Sequence, residues 1–537
     1  MKKNYRAIIV LIIIVLFGSF FRFFHIDYQL PGLYLPDEEF FVDPALRIAN
    51  GNLNPGWYGA PGQTIIYAMG IGFRIISFIL NTIRGTDLPA VVNYQENFNL
   101  FYACARSLFA VLGSLSIVAV YFLVKFWNKR TALISAFLVA SSFYLIDHSH
   151  IIRPDIPQTF FLLLLLVFLF KIIDHPQKTI WYILSGVSFA AAITTKYPAL
   201  FFLPVIIACI VWLIIKKDFI FKKWFSFGIT TVLTLFLTGP FLFISFKNAL
   251  KQVGLENATS HGIQGGLGFG GNLWWYLFNT LNWEMGTFLY LLAIITVFVL
   301  FYRIYRKRLD DRTIKMLMIA MTAIIYILAL SFLNLHWERW LIPALTLLFI
   351  PSAVAIDYLF NTLKSKLLLS VIIIILLIGP GLRLTRTVYG YSHAYTIEQA
   401  KTWMQENIPT QSTIIREPYT PELSKNDYRI INVPNLGWDN IVADYSENKP
   451  FYFAISESVY GVILKRAEIK GEDKSQSAIE NYNNLISNSK LLFEINPNNS
   501  YSTEELINRN DISIINNFTS QLYMGPYIRI YEFNPSN

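Results

Sequence analysis

Leu35-Pro36-Asp37-Glu38-Glu39-Phe40 stands a few residues past the first apolar run, 7–24, with Asp43 and Arg47 just downstream. Ionisable groups beside a membrane span are costly and tend to have a task. A helix N-terminus favours acids in its first turn, so the bland reading is a cap for a helix over Glu39–Ile48. A cap needs one acid, and this stretch has three. Asp37 and Glu38 are therefore the candidate catalytic carboxylates. One can take a proton while the other fixes an acceptor or the helix N-terminus.

Outward from that stretch the chain is strongly apolar. Of 537 residues 54% are hydrophobic and 15% charged, with a mean hydropathy of +0.45. This is the composition of an α-helical polytopic membrane protein. The net charge of +9 is topological in such a chain. No basic, aromatic-interleaved stripe argues for nucleic acid. Cys104 and Cys209 both fall in apolar segments, which excludes a disulfide framework and a cysteine metal site outside the membrane. The first apolar run lacks a small-residue cleavage site and leads into Arg22 and His25, so it reads as a retained span rather than a signal peptide.

A span takes roughly 20 apolar residues. Runs at 7–24, 100–124, 131–147, 157–173, 179–195, 198–215, 224–246, 284–302, 314–333, 340–360 and 367–388 predict about eleven transmembrane helices. The stretch 64–80 is apolar too, but Arg74 sits in its middle. If it crossed, Lys125, Lys129, Lys216, Lys222 and the Arg303–Lys315 cluster would all lie outside, against the positive-inside rule. It reads as an interfacial helix within a first exterior loop over 25–99. Residues 179–215 are too long for one span and break at Lys196-Tyr197-Pro198. With these choices the N-terminus is cytoplasmic. The Asp37 loop, His148–Asp155, Lys196, the glycine-dense stretch 254–272 and His336–Arg339 all share one exterior face. Residues 1–388 form the membrane module. Residues 389–537 are polar and predict an extracytoplasmic α/β domain, with helices near 398–407 and 478–487 and strands near 412–416, 451–456 and 527–533.

Several groups on that face are candidate substrate-binding residues. His148 and His150 lie in His148-Ser149-His150-Ile151-Ile152-Arg153-Pro154-Asp155. Their spacing is not that of a helical zinc pair, and no metal is expected. Arg153 and Asp155 either serve a polar ligand or tie two span ends together. Lys196, followed by Tyr197, either snorkels to the interface or meets a lipid phosphate. Arg339, between Trp337 and Trp340, suits a bidentate grip on phosphate within an aromatic belt. His261 opens a glycine-dense run that lacks the Lys-Ser/Thr of a P-loop. That run reads as an exterior loop able to order over a substrate, or as a plain connector.

Pro36-Asp37-Glu38, Ala45-Leu46-Arg47, Asn50-Gly51-Asn52-Leu53-Asn54-Pro55 and the run Trp57–Pro61 come first along the chain. Arg153-Pro154-Asp155, Thr195-Lys196-Tyr197-Pro198-Ala199 and Glu338-Arg339-Trp340-Leu341-Ile342-Pro343 follow. Trp403-Met404-Gln405-Glu406-Asn407-Ile408-Pro409 and Gly525-Pro526-Tyr527-Ile528-Arg529-Ile530-Tyr531 complete the series. In this order and placement the chain resembles the GT-C-fold glycosyltransferases of the protein-mannosyltransferase and aminoarabinose-transferase type, glycosyltransferase family 39 and its bacterial relatives. The resemblance implies a polyprenyl-phosphate sugar as donor and an inverting transfer to an acceptor hydroxyl on the extracytoplasmic face. The acceptor is a lipid, a protein or a glycan. It implies Asp37 as the catalytic acid position with Glu38 beside it. Lys196 and Arg339 fall near the lipid phosphate, and Arg153 and Asp155 near the sugar. Glu39, a third acid, leaves open which carboxylate is the base. No cofactor beyond the lipid-linked donor is expected. The competing reading is a transporter of polyprenol-linked sugar or lipid, which would place its polar groups near the midplane. Low cysteine with abundant Ile, Asn and Lys points to a prokaryotic plasma membrane.

Overall fold

The computed structural model describes residues 2–32, 35, 37–58, 62–258, 267–306, 310–437, 450–470, 473–497 and 524–534. The chain divides into a helical unit running to Leu384 and a second unit from Thr385 on. The division falls inside one helix, upstream of the 388/389 boundary at which the composition changes.

The helices of the first unit are α1 (Lys2–Phe23), α2 (Glu39–Ala49), α3 (Gln63–Arg84), α4 (Ala90–Glu96), α5 (Phe98–Val124), α6 (Lys129–Ser141), α7 (Phe143–Asp147), α8 (Asp155–Asp174), α9 (Thr179–Thr195) and α10 (Leu203–Ile215). They continue with α11 (Phe221–Thr238), α12 (Pro240–Ile244), α13 (Phe246–Ala258), α14 (Gly268–Trp274), α15 (Asn282–Met285), α16 (Thr287–Tyr305), α17 (Asp311–Ser331), α18 (Ile342–Thr362) and α19 (Lys366–Tyr391). Among the described residues eight helices are long and apolar enough to cross a membrane, or nine if one bent pair counts as a span. The protein is a multi-pass membrane protein.

The count falls below eleven for local reasons. The expected span 131–147 stops at Ser141. Ser142 is extended and its hydroxyl accepts from the Leu145 N–H, restarting the chain as α7. Serine competes with the backbone for such bonds and so favours caps. The expected span 224–246 breaks at Gly239-Pro240, because proline cannot supply the next helical N–H. The helix over 179–195 has 17 residues, short for a crossing. The expected span 284–302 begins only after Gly286, whose φ of +81° is open to glycine at little cost. The segment before it meets α16 at 118°. The stretch expected to lie along the interface is α3. It meets the length and hydropathy of a span, buries Ile66, Met69 and Phe73, and exposes Ile75, Phe78 and Ile83.

What positions the site is the packing of α8 on α5 and α9, and of α6 on α5, α1 and α18. The α8 run Leu162–Leu166 is all leucine, and Leu162, Leu163, Leu165 and Leu166 are buried. Pro157 lies in its first turn, where a missing N–H costs nothing. The N-terminal ends of α5, α8 and α18 therefore converge, and each brings a charged residue: Arg106, Asp155 and, one turn before α18, Arg339.

The second unit contains α20 (Thr396–Asn407), α21 (Glu457–Lys470) and α22 (Asp473–Ser487). Its strands are β1 (Thr413–Arg416), β2 (Arg429–Asn432), β3 (Phe451–Ser456), β4 (Ser489–Ile495) and β5 (Ile528–Phe533). Their order is β2-β1-β3-β5-β4. β1 pairs in parallel with β2 and β3; β5 pairs antiparallel with β3 and β4. The α/β class is as expected. β2 is too short to show a period, and β4 carries a register shift between Leu491 and Phe493, which breaks alternation.

A buried carboxyl holds this unit's parallel edge. Glu417 accepts from the Ser456 N–H at 2.8 Å, the Leu436 N–H at 3.3 Å and the Tyr482 hydroxyl. Burial pushes its pKa up to about 7 against those bonds. The folded unit then binds a proton that the unfolded chain releases near 4.5. Stability is full below that point and falls as pH rises toward 7. Denaturation of the full-length protein followed by amide exchange in β1 and β3 is expected to show about 3 kcal/mol less stability at pH 8 than at pH 4.5. Glu417→Gln is expected to abolish that slope.

Candidate active site

Asp37 sits in the left-handed backbone region, with φ of +77°. Asp tolerates this better than most residues, and such conformations cluster where function over-determines the backbone. Its carboxylate is 3.3 Å from the Arg153 guanidinium and 3.4 Å from that of Arg339. With its side chain 36% exposed, it is the open carboxylate of the constellation. The structure thus brings together three loops far apart in sequence: that before α2, that before α8 and that before α18.

Glu38 is placed differently from its expected catalytic position. Its side chain is fully buried and receives a fork from Arg106, Nε to Oε1 at 3.0 Å and Nη2 to Oε2 at 2.7 Å. The Ile152 N–H also donates to Oε1 at 3.1 Å. Arg106 donates in addition to the carbonyls of Tyr28 and Ile26. Every bond ties the loop between α1 and α2 to α5 or to the segment before Arg153. Glu38 is thus held between Arg106 and the segment that leads to Arg153. Glu39 lies exposed in the first turn of α2.

Asp155, at the first position of α8, forms a buried ion pair with Lys196. The Lys196 ammonium also lies 5.5 Å from the centre of the Trp340 ring, and its carbonyl accepts from Gln158. Arg339 stacks over Trp337 at 4.4 Å. Burial lowers the Lys196 pKa, with Asp155 opposing. Burial and the neighbouring Arg339 lower that of Arg153, with Asp37 opposing. Three cations therefore face two carboxylates, Asp37 and Asp155.

His148 is buried beside this group, edge-on to Tyr144 at 4.4 Å. Burial lowers its pKa to about 4, so the ring is neutral near pH 7. His150, expected to meet substrate, is buried. Each of its ring nitrogens lies 2.9 Å from a backbone carbonyl oxygen, those of Ile146 and Phe24. It fastens α7 to the end of α1. Tyr197, expected beside the ligand, donates to the Tyr58 carbonyl at 3.0 Å and so anchors the first loop. His261 and most of the glycine-dense run lie outside the described residues. Those that are described are helical at both flanks, in α13 and α14. Among the described residues no group of three or more His, Cys, Asp or Glu is placed to hold a metal ion.

Sequence reasoning passed over Arg106. A lone arginine inside the apolar run 100–124 is itself a signal, because an intramembrane cation needs a partner.

Residues 102–242 match the family model of dolichyl-phosphate-mannose-protein mannosyltransferase. The fold is that of an oligosaccharyltransferase from Archaeoglobus fulgidus, solved without ligand. The TM-score is 0.52 at 13% identity over 99% of this chain and 89% of that one. The archaeal oligosaccharyltransferase AglB of the same organism, solved with an inhibitory peptide and a dolichol-phosphate, gives 0.51 at 12% identity over 99% and 89%. ArnT from Cupriavidus metallidurans gives 0.49 at 13% identity over 87% and 95%. No curated protein sequence matches. The chain has the GT-C fold.

Proposed function

We propose that this protein is an inverting glycosyltransferase that moves a sugar from a polyprenyl-phosphate-linked donor to an acceptor hydroxyl at the exterior membrane face. The observation that carries the reading is Asp37 held between Arg153 and Arg339, beside the Lys196–Asp155 pair. The family match over 102–242 and the dolichol-phosphate in the similar AglB structure support a lipid-linked donor.

The donor phosphate competes with Asp37 for Arg153 and Arg339 and relieves their mutual repulsion. Lys196, released in part from Asp155, adds a third donor. Asp37 is then free to take the proton of the acceptor hydroxyl. The acceptor oxygen bonds to the anomeric carbon as the bond from that carbon to the phosphate oxygen breaks. The electron pair leaves with polyprenyl phosphate, whose growing charge falls on the fixed cations. A double displacement needs a second open carboxylate as nucleophile. Glu38 is held by Arg106, and Asp155 by Lys196. Asp37 is the one carboxylate held between the two arginines, and this favours a single, inverting displacement. Neutral His148 supplies a hydrogen bond without adding charge.

The positive loops at Lys125–Arg130 and Lys216–Lys223 favour a cytoplasmic N-terminus and an exterior site. The host is a prokaryotic plasma membrane. The acceptor is a lipid, protein or glycan hydroxyl. Arg153, Arg339 and Lys196 take the charge-neutralising part that a metal ion plays elsewhere, so the reaction is proposed to need none. The test is purified protein with polyprenyl-phosphate sugars and membrane extract, with and without chelator. Release of polyprenyl phosphate unchanged by chelator is expected. Loss of release on chelation would overturn the metal-free step. Movement of intact donor across a bilayer without release would replace transfer by transport.

A further inference from the structure

Arg22 is among the largest fully buried side chains of the protein, 1% exposed, and no ion pair with a carboxylate is formed by it among the described residues. Its guanidinium donates to the carbonyls of Gly18 at 2.9 Å, Ala140 at 3.2 Å and Val139 at 3.0 Å. The last two belong to the final turn of α6, whose carbonyls lack helical partners and whose dipole favours a cation. The chain breaks there, at Ser142, and restarts as α7.

The surroundings are built to admit this side chain. A Cβ on Gly113 would stand 3.0 Å from Arg22 Nε and 2.4 Å from the Ser149 hydroxyl. Nε has no hydrogen-bond partner, and Arg22 lines a cavity of about 10 Å³ together with Ser116, Thr159 and Thr346. Those hydroxyls donate to the carbonyls of Leu112, Asp155 and Ile342. Arg22 thus shares this cavity with residues of α5, α6, α8 and α18, the helices that carry or adjoin Arg106, the 142–153 segment, Asp155 and Arg339. Two residues on, the Phe24 carbonyl holds His150.

We propose that Arg22 is a positioning residue of the active site. It fixes the break between α6 and α7 and, through the 142–153 segment, sets Arg153 opposite Asp37. The inference rests on the reading of Arg153 as a phosphate-holding cation.

The test uses the full-length protein as wild type, Arg22→Gln, Arg22→Lys, Arg153→Lys and the Arg22→Gln/Arg153→Lys double variant. Donor affinity and amide exchange over 142–153 are measured at a temperature where each variant is folded. Arg22→Gln is expected to weaken donor binding about tenfold in the wild-type background and hardly at all with Arg153→Lys. Arg22→Lys is expected to recover part of the loss, since an ammonium can still reach these carbonyls. Exchange over 142–153 is expected to rise in Arg22→Gln. Equal losses in both backgrounds would reduce Arg22 to general stability and overturn the proposal. Unchanged exchange over 142–153 would overturn it whether or not donor binds. Failure of wild type to bind any polyprenyl-phosphate donor, with exchange behaving as expected, would instead count against the glycosyltransferase reading.

Discussion

Asp37→Asn is expected to lower turnover of the lipid-linked donor by about 10²- to 10⁴-fold, the range that general-base removal usually costs. Donor affinity should move the other way. In the ligand-free protein Asp37 occupies both Arg153 and Arg339, so the phosphate must displace it. The amide of the variant carries no charge and competes less, leaving the arginines to the donor. The variant should bind polyprenyl phosphate at least as tightly as wild type while failing to consume the sugar donor. Equilibrium binding beside single-turnover release separates the two effects. A fall in affinity with undiminished turnover would make Asp37 a mere anchor. Full activity would move the base to Glu39, the exposed acid of the motif. Glu38 cannot take that part without breaking its pair with Arg106.

The second large effect is expected on stability. Glu38→Ala leaves the Arg106 guanidinium buried without its counter-charge, and the Ile152 N–H loses its acceptor. Removing one partner of a buried ion pair costs about 3–5 kcal/mol. Chemical denaturation in detergent should show a loss of that size, and Arg106→Met alone should show a similar one. The double change Glu38→Leu with Arg106→Met should restore much of the stability, because apolar packing can replace a buried pair at little cost. It should not restore turnover, since the tie from the first loop to Ile152 is absent. Recovery of turnover together with stability would mean that the pair has no part in placing Asp37 and Arg153.

The membrane class and the convergence of distant loops were legible because both rest on hydropathy and charge parity, which are local sums. Asp37, Arg153, Asp155, Lys196 and Arg339 were each singled out by charge beside an apolar run, and the structure gathers them. What could not be read was which neighbour each would choose. Glu38 and Arg106 are 68 residues apart, and nothing between them shows that their side chains meet. The difference between Asp37 and Glu38, adjacent and chemically alike, arises from the positive φ of Asp37, which turns one carboxylate outward and the other in. His150 looked like a ligand because histidine often is one; its carbonyl partners at Ile146 and Phe24 depend on how α7 meets α1. Among the described residues fewer unbroken helices are long enough to span than hydropathy predicts, because one serine and one Gly-Pro pair interrupt runs that hydropathy alone would continue.

The most direct test is a structure of the protein with a non-transferable polyprenyl phosphonate sugar. The phosphonate is expected in contact with Arg153, Arg339 and Lys196. Asp37 should be released from the two arginines and should face the anomeric carbon from the side opposite the phosphonate. A phosphonate bound away from these three cations, with Asp37 still bridging Arg153 and Arg339, would contradict that expectation.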